Sequence, residues 1–208
     1  MSEILFRRVF SMPSAWTFEI PPVRDLLDRW VKNGGKGWAD PFAGKNLRAE
    51  FSNDMNPAGP APYHMEAEEF VREVLLDDDL EGVLFDPPYS KRQISEHYKG
   101  MGRHATTEDT NGSFYSRVRK PLAQKVRVGG LAISFGWNST GFGKVNGYDL
   151  VEGLLVCHGG SGHNDTIVTV ERRVQSTLPD GTERDPSRVG VGGADENDPG
   201  RSQPGRPP

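Results

Sequence analysis

One cysteine in 208 residues leaves Cys157 without an internal disulfide partner, which fits a reducing compartment, and a cytoplasmic protein is expected. No uncharged apolar run approaches the ~18 residues of a membrane span, and Met1–Phe10 has no apolar core of secretory-signal length. An excess of positive charge is also missing: 25 Lys and Arg face 29 Asp and Glu, a formal net charge of -4. A histone-like basic protein is thereby excluded, as are a collagen and a wholly disordered chain, since hydrophobic residues reach 35%.

Apolar residues are scarce at the C-terminus. Residues 175–208 contain six prolines and six glycines, with only Leu178, Val189, Val191 and Ala194 as apolar positions. Such a segment buries too little surface to offset its ordering entropy, so a folded domain over 1–174 and a disordered tail over 175–208 are expected. Within the domain, Pro21–Val31 has helical apolar spacing with proline at its start, and Gly34, Gly35 and Gly37 close it. Met65–Leu76 is an amphipathic helix and Ser113–Val126 a further one. Trp38–Ala39, Glu50–Asp54, Glu81–Asp86 and the GGLAISFGW run read as strands, and VEGLLVCH and DTIVTVERR as a closing hairpin that forms an antiparallel edge. Strands alternating with helices predict an α/β fold with a mostly parallel sheet.

Charge is segregated. Residues 54–90 carry ten acidic and one basic residue, and residues 91–127 carry nine basic against three acidic. A basic block in an acidic chain suits a polyanion, or equally a solvated face.

The sharpest motif is Asp86-Pro87-Pro88-Tyr89, directly after the apolar Val83-Leu84-Phe85. Two prolines fix the backbone and remove two N–H donors. The Asp86 carboxylate and the Asp86 and Pro87 carbonyls then serve as acceptors beside the flat Tyr89 ring, an arrangement suited to a planar group bearing an NH2. A second motif, Asp40-Pro41-Phe42-Ala43-Gly44, runs from a short strand into a small-residue turn that a ligand can approach closely. Asp54, in Ser52-Asn53-Asp54-Met55, falls at the next strand end, where a carboxylate can accept two ribose hydroxyls. Glu66-Ala67 follows near the end of a third strand. Cys157, His158 and His163 match no zinc spacing, and no metal is expected.

Taken together these residues resemble S-adenosylmethionine-dependent amino-methyltransferases with a DPPY motif, similar to the DNA adenine methyltransferases of phages and prophages, over roughly residues 10–172. The resemblance implies a Rossmann-like class I methyltransferase fold with S-adenosylmethionine as cofactor. Asp40, Pro41, Phe42, Ala43 and Gly44 would wrap its methionine part. Asp54 and Met55 would hold the ribose, and Glu66 and Ala67 the adenine. Thr17 and Phe18 lie in an N-terminal segment that would close over the cofactor. Asp86, Pro87, Pro88 and Tyr89 would form the catalytic motif, with Lys91, Arg92, Lys99 and Arg103 contacting nucleic-acid phosphates. Only thirteen residues separate Asp40 from Asp54, so the first crossover helix should be shortened or absent, and Lys45 or Arg48 would replace its dipole in holding an anionic group. The implied reaction is methylation of an exocyclic amine in DNA, adenine N6 first, with cytosine N4 a close relative. Alternatives are an RNA (ribosomal) amino-methyltransferase and a non-catalytic accessory protein that binds cofactor or nucleic acid. A separate target-recognition domain of ordinary size is not expected, so sequence reading would come from the basic loop, be weak, or be supplied by a specificity partner. Oligomeric state is left open.

Overall fold

The computed structural model describes residues 3–88, 112–159 and 164–175. Tyr89, Lys91, Arg92, Lys99, Arg103, His163 and all but the first residue of the expected tail lie outside the described residues.

Among the described residues, seven strands form one sheet. They are β1 (Leu5–Phe10), β2 (Trp38–Asp40), β3 (Phe51–Ser52), β4 (Leu80–Phe85), β5 (Val126–Gly136), β6 (Tyr148–Cys157) and β7 (Thr166–Arg173), in the order β1-β6-β7-β5-β4-β2-β3. All neighbours are parallel except β7, which runs antiparallel to both β5 and β6. This is a Rossmann-like class I methyltransferase fold: a mostly parallel sheet whose C-terminal antiparallel hairpin inserts its last strand between the two before it. No helix lies between β2 and β3, where residues 41–50 are turns and irregular backbone. The expectation of a shortened or absent first crossover helix is met.

Among the described residues, three α-helices cover the two faces. In α1 (Pro21–Trp30) the prolines occupy the first positions, where no N–H is needed, and Val23, Leu26 and Leu27 are fully buried. They pack on Trp38, Leu84, Ile133 and Val168. On the other face α2 (Ala67–Glu73) inserts Phe70 and Val71, and α3 (Gly112–Lys125) inserts Val118, Leu122 and Ala123, against Ala39, Val83, Phe85 and Ala132. Strand β4 is buried on both sides except at Glu81, as expected between two helical layers. Its Gly82 faces the Trp38 ring, and a Cβ there would come within 2.7 Å of it.

Three sequence expectations are corrected. The second helix is shorter than Met65–Leu76, and the expected third strand is reduced to one parallel bridge, Asn53 to Tyr63, because Pro57, Pro60 and Pro62 crowd the approach. The hairpin is not the sheet edge: β1 pairs outside β6. Its alternation was hidden by Arg7 and Arg8. Arg7 donates to the buried Glu152 carboxylate of β6 at 2.9 Å, which also accepts from Arg29 at 2.7 Å and from the Trp30 indole at 2.7 Å. One buried acid thereby fastens both β1 and α1 to β6. No helix among the described residues is long and apolar enough to cross a membrane.

Candidate active site

The chain leaves β2 outward to β3 and returns on the other side of β2 to β4. A crevice therefore opens at the carboxyl ends of β2 and β4, where such reversals place ligands in open α/β sheets. Asp40 ends β2 and Asp86 directly follows β4, so the two motifs read from the sequence meet at this crevice.

The loop after β2 is held by backbone. Asp40 Oδ1 accepts the Phe42 N–H at 3.0 Å, an Asx-type turn that needs no helix. The Asn53 N–H donates to the Asp40 carbonyl at 2.8 Å and the Ala43 N–H to the Asn53 carbonyl at 2.9 Å. Gly44 turns with φ 55°, a left-handed conformation natural to glycine. The Phe42 ring meets Phe85 edge-on, with centroids 5.6 Å apart.

Asn53, quoted in the sequence but given no role there, proves to be the bracket of this region. It is fully buried. Its Nδ2 donates to the Pro41 carbonyl at 3.1 Å and to the Met65 carbonyl at 3.0 Å, and its Oδ1 accepts the Met65 N–H at 3.1 Å. A single side chain thus fixes the β2 loop, the β3 end and the approach to Glu66. Asp54 is 7% exposed, and its Oδ1 accepts the Asn56 N–H at 2.9 Å. Met55 and Glu66 are half-buried, with Glu66 at the N-cap position of α2 and Ala67 its buried first residue.

The N-terminal segment reaches the same crevice. The Phe18 ring stacks at a tilt on Phe135 with centroids 4.6 Å apart, from the short turn Thr17–Glu19. Lys45 Nζ lies 4.7 Å from the centroid of the Trp16 ring. Of the two cations proposed to replace the missing helix, Arg48 is engaged by Asp28 at 2.5 Å. Lys45, exposed on the loop itself, is the better placed.

Burial pushes the Asp40 carboxyl well above the ordinary carboxylate range. The Phe42 N–H opposes this, and the nearby Asp86 and Asp54 carboxylates add to it. An acid whose folded pKa is raised contributes stability that is fully present below its unfolded pKa of 3.8 and is lost as pH rises through the folded value. Asn at this position cannot ionise. The melting temperature of Asp40→Asn relative to the native chain is therefore expected to climb from pH 4 to pH 8, and a flat difference in thermal scans would contradict an ionisable buried Asp40.

Beyond Asp86 the backbone opens into a cleft of about 260 Å³, lined by Pro87, Tyr115, Arg119, Ser134, Trp137 and Asn138. The Tyr115 hydroxyl donates to the Pro88 carbonyl. Burial raises the Tyr115 pKa, which keeps the phenol a donor. Opposite, Arg119 donates to the Gly141 carbonyl at 2.8 Å, while the buried Glu171 carboxylate accepts the Phe142 and Gly143 N–H groups at 2.6 and 2.8 Å. Burial raises the Glu171 pKa against those two N–H bonds. Gly141 has φ 52°, and a Cβ there would sit 2.1 Å from Glu171. The wall requires glycine. Of these cleft residues sequence reading gave a site role only to Pro87. The available signal was Ser134, the only hydroxyl in the apolar run Leu131–Phe135.

His158 spends both ring nitrogens, Nδ1 on the Ser11 carbonyl at 3.0 Å and Nε2 on the Thr166 hydroxyl at 2.8 Å.

The sequence matches no protein-family model and no curated protein. Among solved structures the chain is similar to TrmN from Thermus thermophilus at 14% identity and a TM-score of 0.48, over 74% of this chain and 49% of that one. It is also similar to 1,6-didemethyltoxoflavin-N1-methyltransferase from Burkholderia thailandensis, whose structure holds S-adenosylhomocysteine, at 10% identity and a TM-score of 0.48, over 74% and 77% of the two chains. The N-methyltransferase NodS from Bradyrhizobium japonicum WM9 is similar at 10% identity and a TM-score of 0.40, over 73% and 94%. The chain thus spans about half the length of the Thermus protein.

Proposed function

We propose that the chain is an S-adenosylmethionine-dependent methyltransferase acting on the exocyclic amino group of a base in DNA, adenine N6. The observation that carries this reading is the meeting of Asp40, Asp54 and Asp86 at one crevice, with Pro87, the residue after Asp86, lining the adjoining cleft. The donor set fits the cofactor. The Asp54 carboxylate suits a vicinal diol, the Gly44 turn admits close approach, and Glu66 at the head of α2 suits an amino group. Thr17, Phe18 and Met55 would close the sides, and Lys45 would meet the methionine carboxylate. When bound, the cofactor supplies a methyl group already activated on a sulfonium.

The remaining chemistry falls to the chain. The lone pair of an aromatic amine is delocalised into its ring. The Asp86 carboxylate and the Pro87 carbonyl would accept the two amine hydrogens and localise that pair toward the methyl. The carboxylate interaction strengthens as positive charge develops on nitrogen. The Tyr115 bond to the Pro88 carbonyl holds the motif's backbone in place, and Tyr89 would stack on the base. A base presented in this way must leave its duplex. Lys91, Arg92, Lys99 and Arg103 would then meet phosphates, giving salt-dependent binding.

The test is nuclease digestion and mass spectrometry of DNA and RNA from cells expressing the chain. N6-methyladenine in DNA alone is expected. A modified guanine confined to RNA would move the assignment to an RNA amino-methyltransferase. No new modified base would leave a binding protein without catalysis.

A further inference from the structure

We infer that Ser134 is a substrate contact that reads the ring edge of the methyl acceptor and sets which heterocycle is accepted. This rests on the methyl-transfer reading above.

Ser134 stands in register with Phe85 across β4–β5 and two residues beyond Ala132. Its side chain therefore shares the α3 face with those two core residues. It is 8% exposed, lines the cleft, and its hydroxyl has no hydrogen-bond partner among the described residues. Its cross-strand partner on β7 is Thr169. Direct antiparallel partners project to the same face. The Thr169 hydroxyl is likewise buried and without a partner among the described residues. Two unmatched buried hydroxyls on paired strands, of which Ser134 lines the cleft, break the rule that buried polar groups are bonded. They occur where the apolar face of the sheet would otherwise continue. Departures of this kind are expected where a ligand supplies the missing partner.

The geometry limits what that ligand is. Ser134 pairs with Phe85, and Pro87, two residues further along the chain, lines the cleft beside it. A planar ring whose amino group meets the Pro87 carbonyl therefore presents another edge to Ser134, which lines the same cleft. A hydroxyl both donates and accepts, which suits an uncharged ring nitrogen in either protonation state. The nearest cation on the cleft wall, Arg119, already donates to the Gly141 carbonyl.

The test uses the full chain and duplexes of the sequence it modifies, with the target as adenine or as its 1-deaza, 3-deaza or 7-deaza analogue. In the native chain one analogue should lose about tenfold in kcat/KM, the order of one neutral hydrogen bond. Ser134→Ala should lose about tenfold on adenine and nothing further on that analogue, while keeping S-adenosylhomocysteine affinity within twofold by calorimetry. Ser134→Cys, nearly the same size with a weak donor, should fall between and guards against a folding defect in the alanine variant. Native kinetics in both variants, or an analogue penalty unchanged by Ser134→Ala, would overturn the inference and leave a water site. A native chain that binds S-adenosylhomocysteine but methylates no DNA would overturn the methyl-transfer reading, and this inference with it.

Discussion

Asp86→Ala is expected to lower methyl transfer by at least about a hundredfold, corresponding to roughly 3 kcal/mol or more of transition-state stabilisation, with S-adenosylhomocysteine affinity changed no more than a few fold. The asymmetry follows from position. Asp40 ends β2 and Asp54 follows β3, the side of the crevice assigned to the cofactor, whereas Asp86 follows β4 directly before Pro87, which lines the cleft. Removing the Asp86 carboxylate takes away an acceptor whose bond is stronger in the transition state than in the ground state, so kcat should carry the loss. It also relieves Asp40 of a neighbouring negative charge that raises its pKa. Single-turnover assays with labelled cofactor, paired with calorimetry, separate the two effects. An Asp86→Ala chain with full single-turnover activity would reduce the motif to a structural strand end.

The parts of this site legible in the sequence were those written in contiguous residues. The run Val83–Pro88 encodes a buried strand and its acceptor-rich end in six adjacent positions, and Asp40–Gly44 does the same for β2. The absent crossover helix was legible from chain length alone. What could not be read were contacts made between distant elements. Glu152 looks like an ordinary polar residue in a strand, yet it is almost fully buried because Arg7, Arg29 and Trp30 converge on it from β1 and α1. That convergence also explains why β1 escaped notice, since its two adjacent arginines break the apolar pattern of an edge strand. Ser134 was passed over for the opposite reason. One hydroxyl in an apolar strand is ordinarily bonded, and only the fold reveals that among the described residues it has no partner.

Asn53→Ala is expected to be among the most damaging substitutions outside the reacting groups, costing roughly 2–4 kcal/mol of stability and weakening cofactor binding at the same time. Alanine would leave three buried or part-buried backbone groups without their partner: the Pro41 carbonyl, the Met65 carbonyl and the Met65 N–H. For a domain of this size the melting temperature should fall by roughly 5–15 °C. The functional loss follows from what those three bonds join. They tie the loop after β2 to the segment leading into Glu66, a link that the loop's other bonds, at Asp40, Ala43 and Asn53, do not make. Since no crossover helix covers the loop, no packed element replaces the lost bracket. Asn53→Asp is expected to fare no better. It retains an acceptor for the Met65 N–H, loses both donors, and buries a third carboxyl beside Asp40 and Asp54. Thermal unfolding with and without saturating S-adenosylhomocysteine distinguishes the two consequences, because ligand at about a hundredfold its Kd should add roughly 2.7 kcal/mol to a chain that still binds it. A destabilised Asn53→Ala chain that keeps the full ligand-dependent increment would make Asn53 a fold residue only. An unchanged melting temperature would mean that the three bonds are remade by water, and that the crevice does not depend on this side chain.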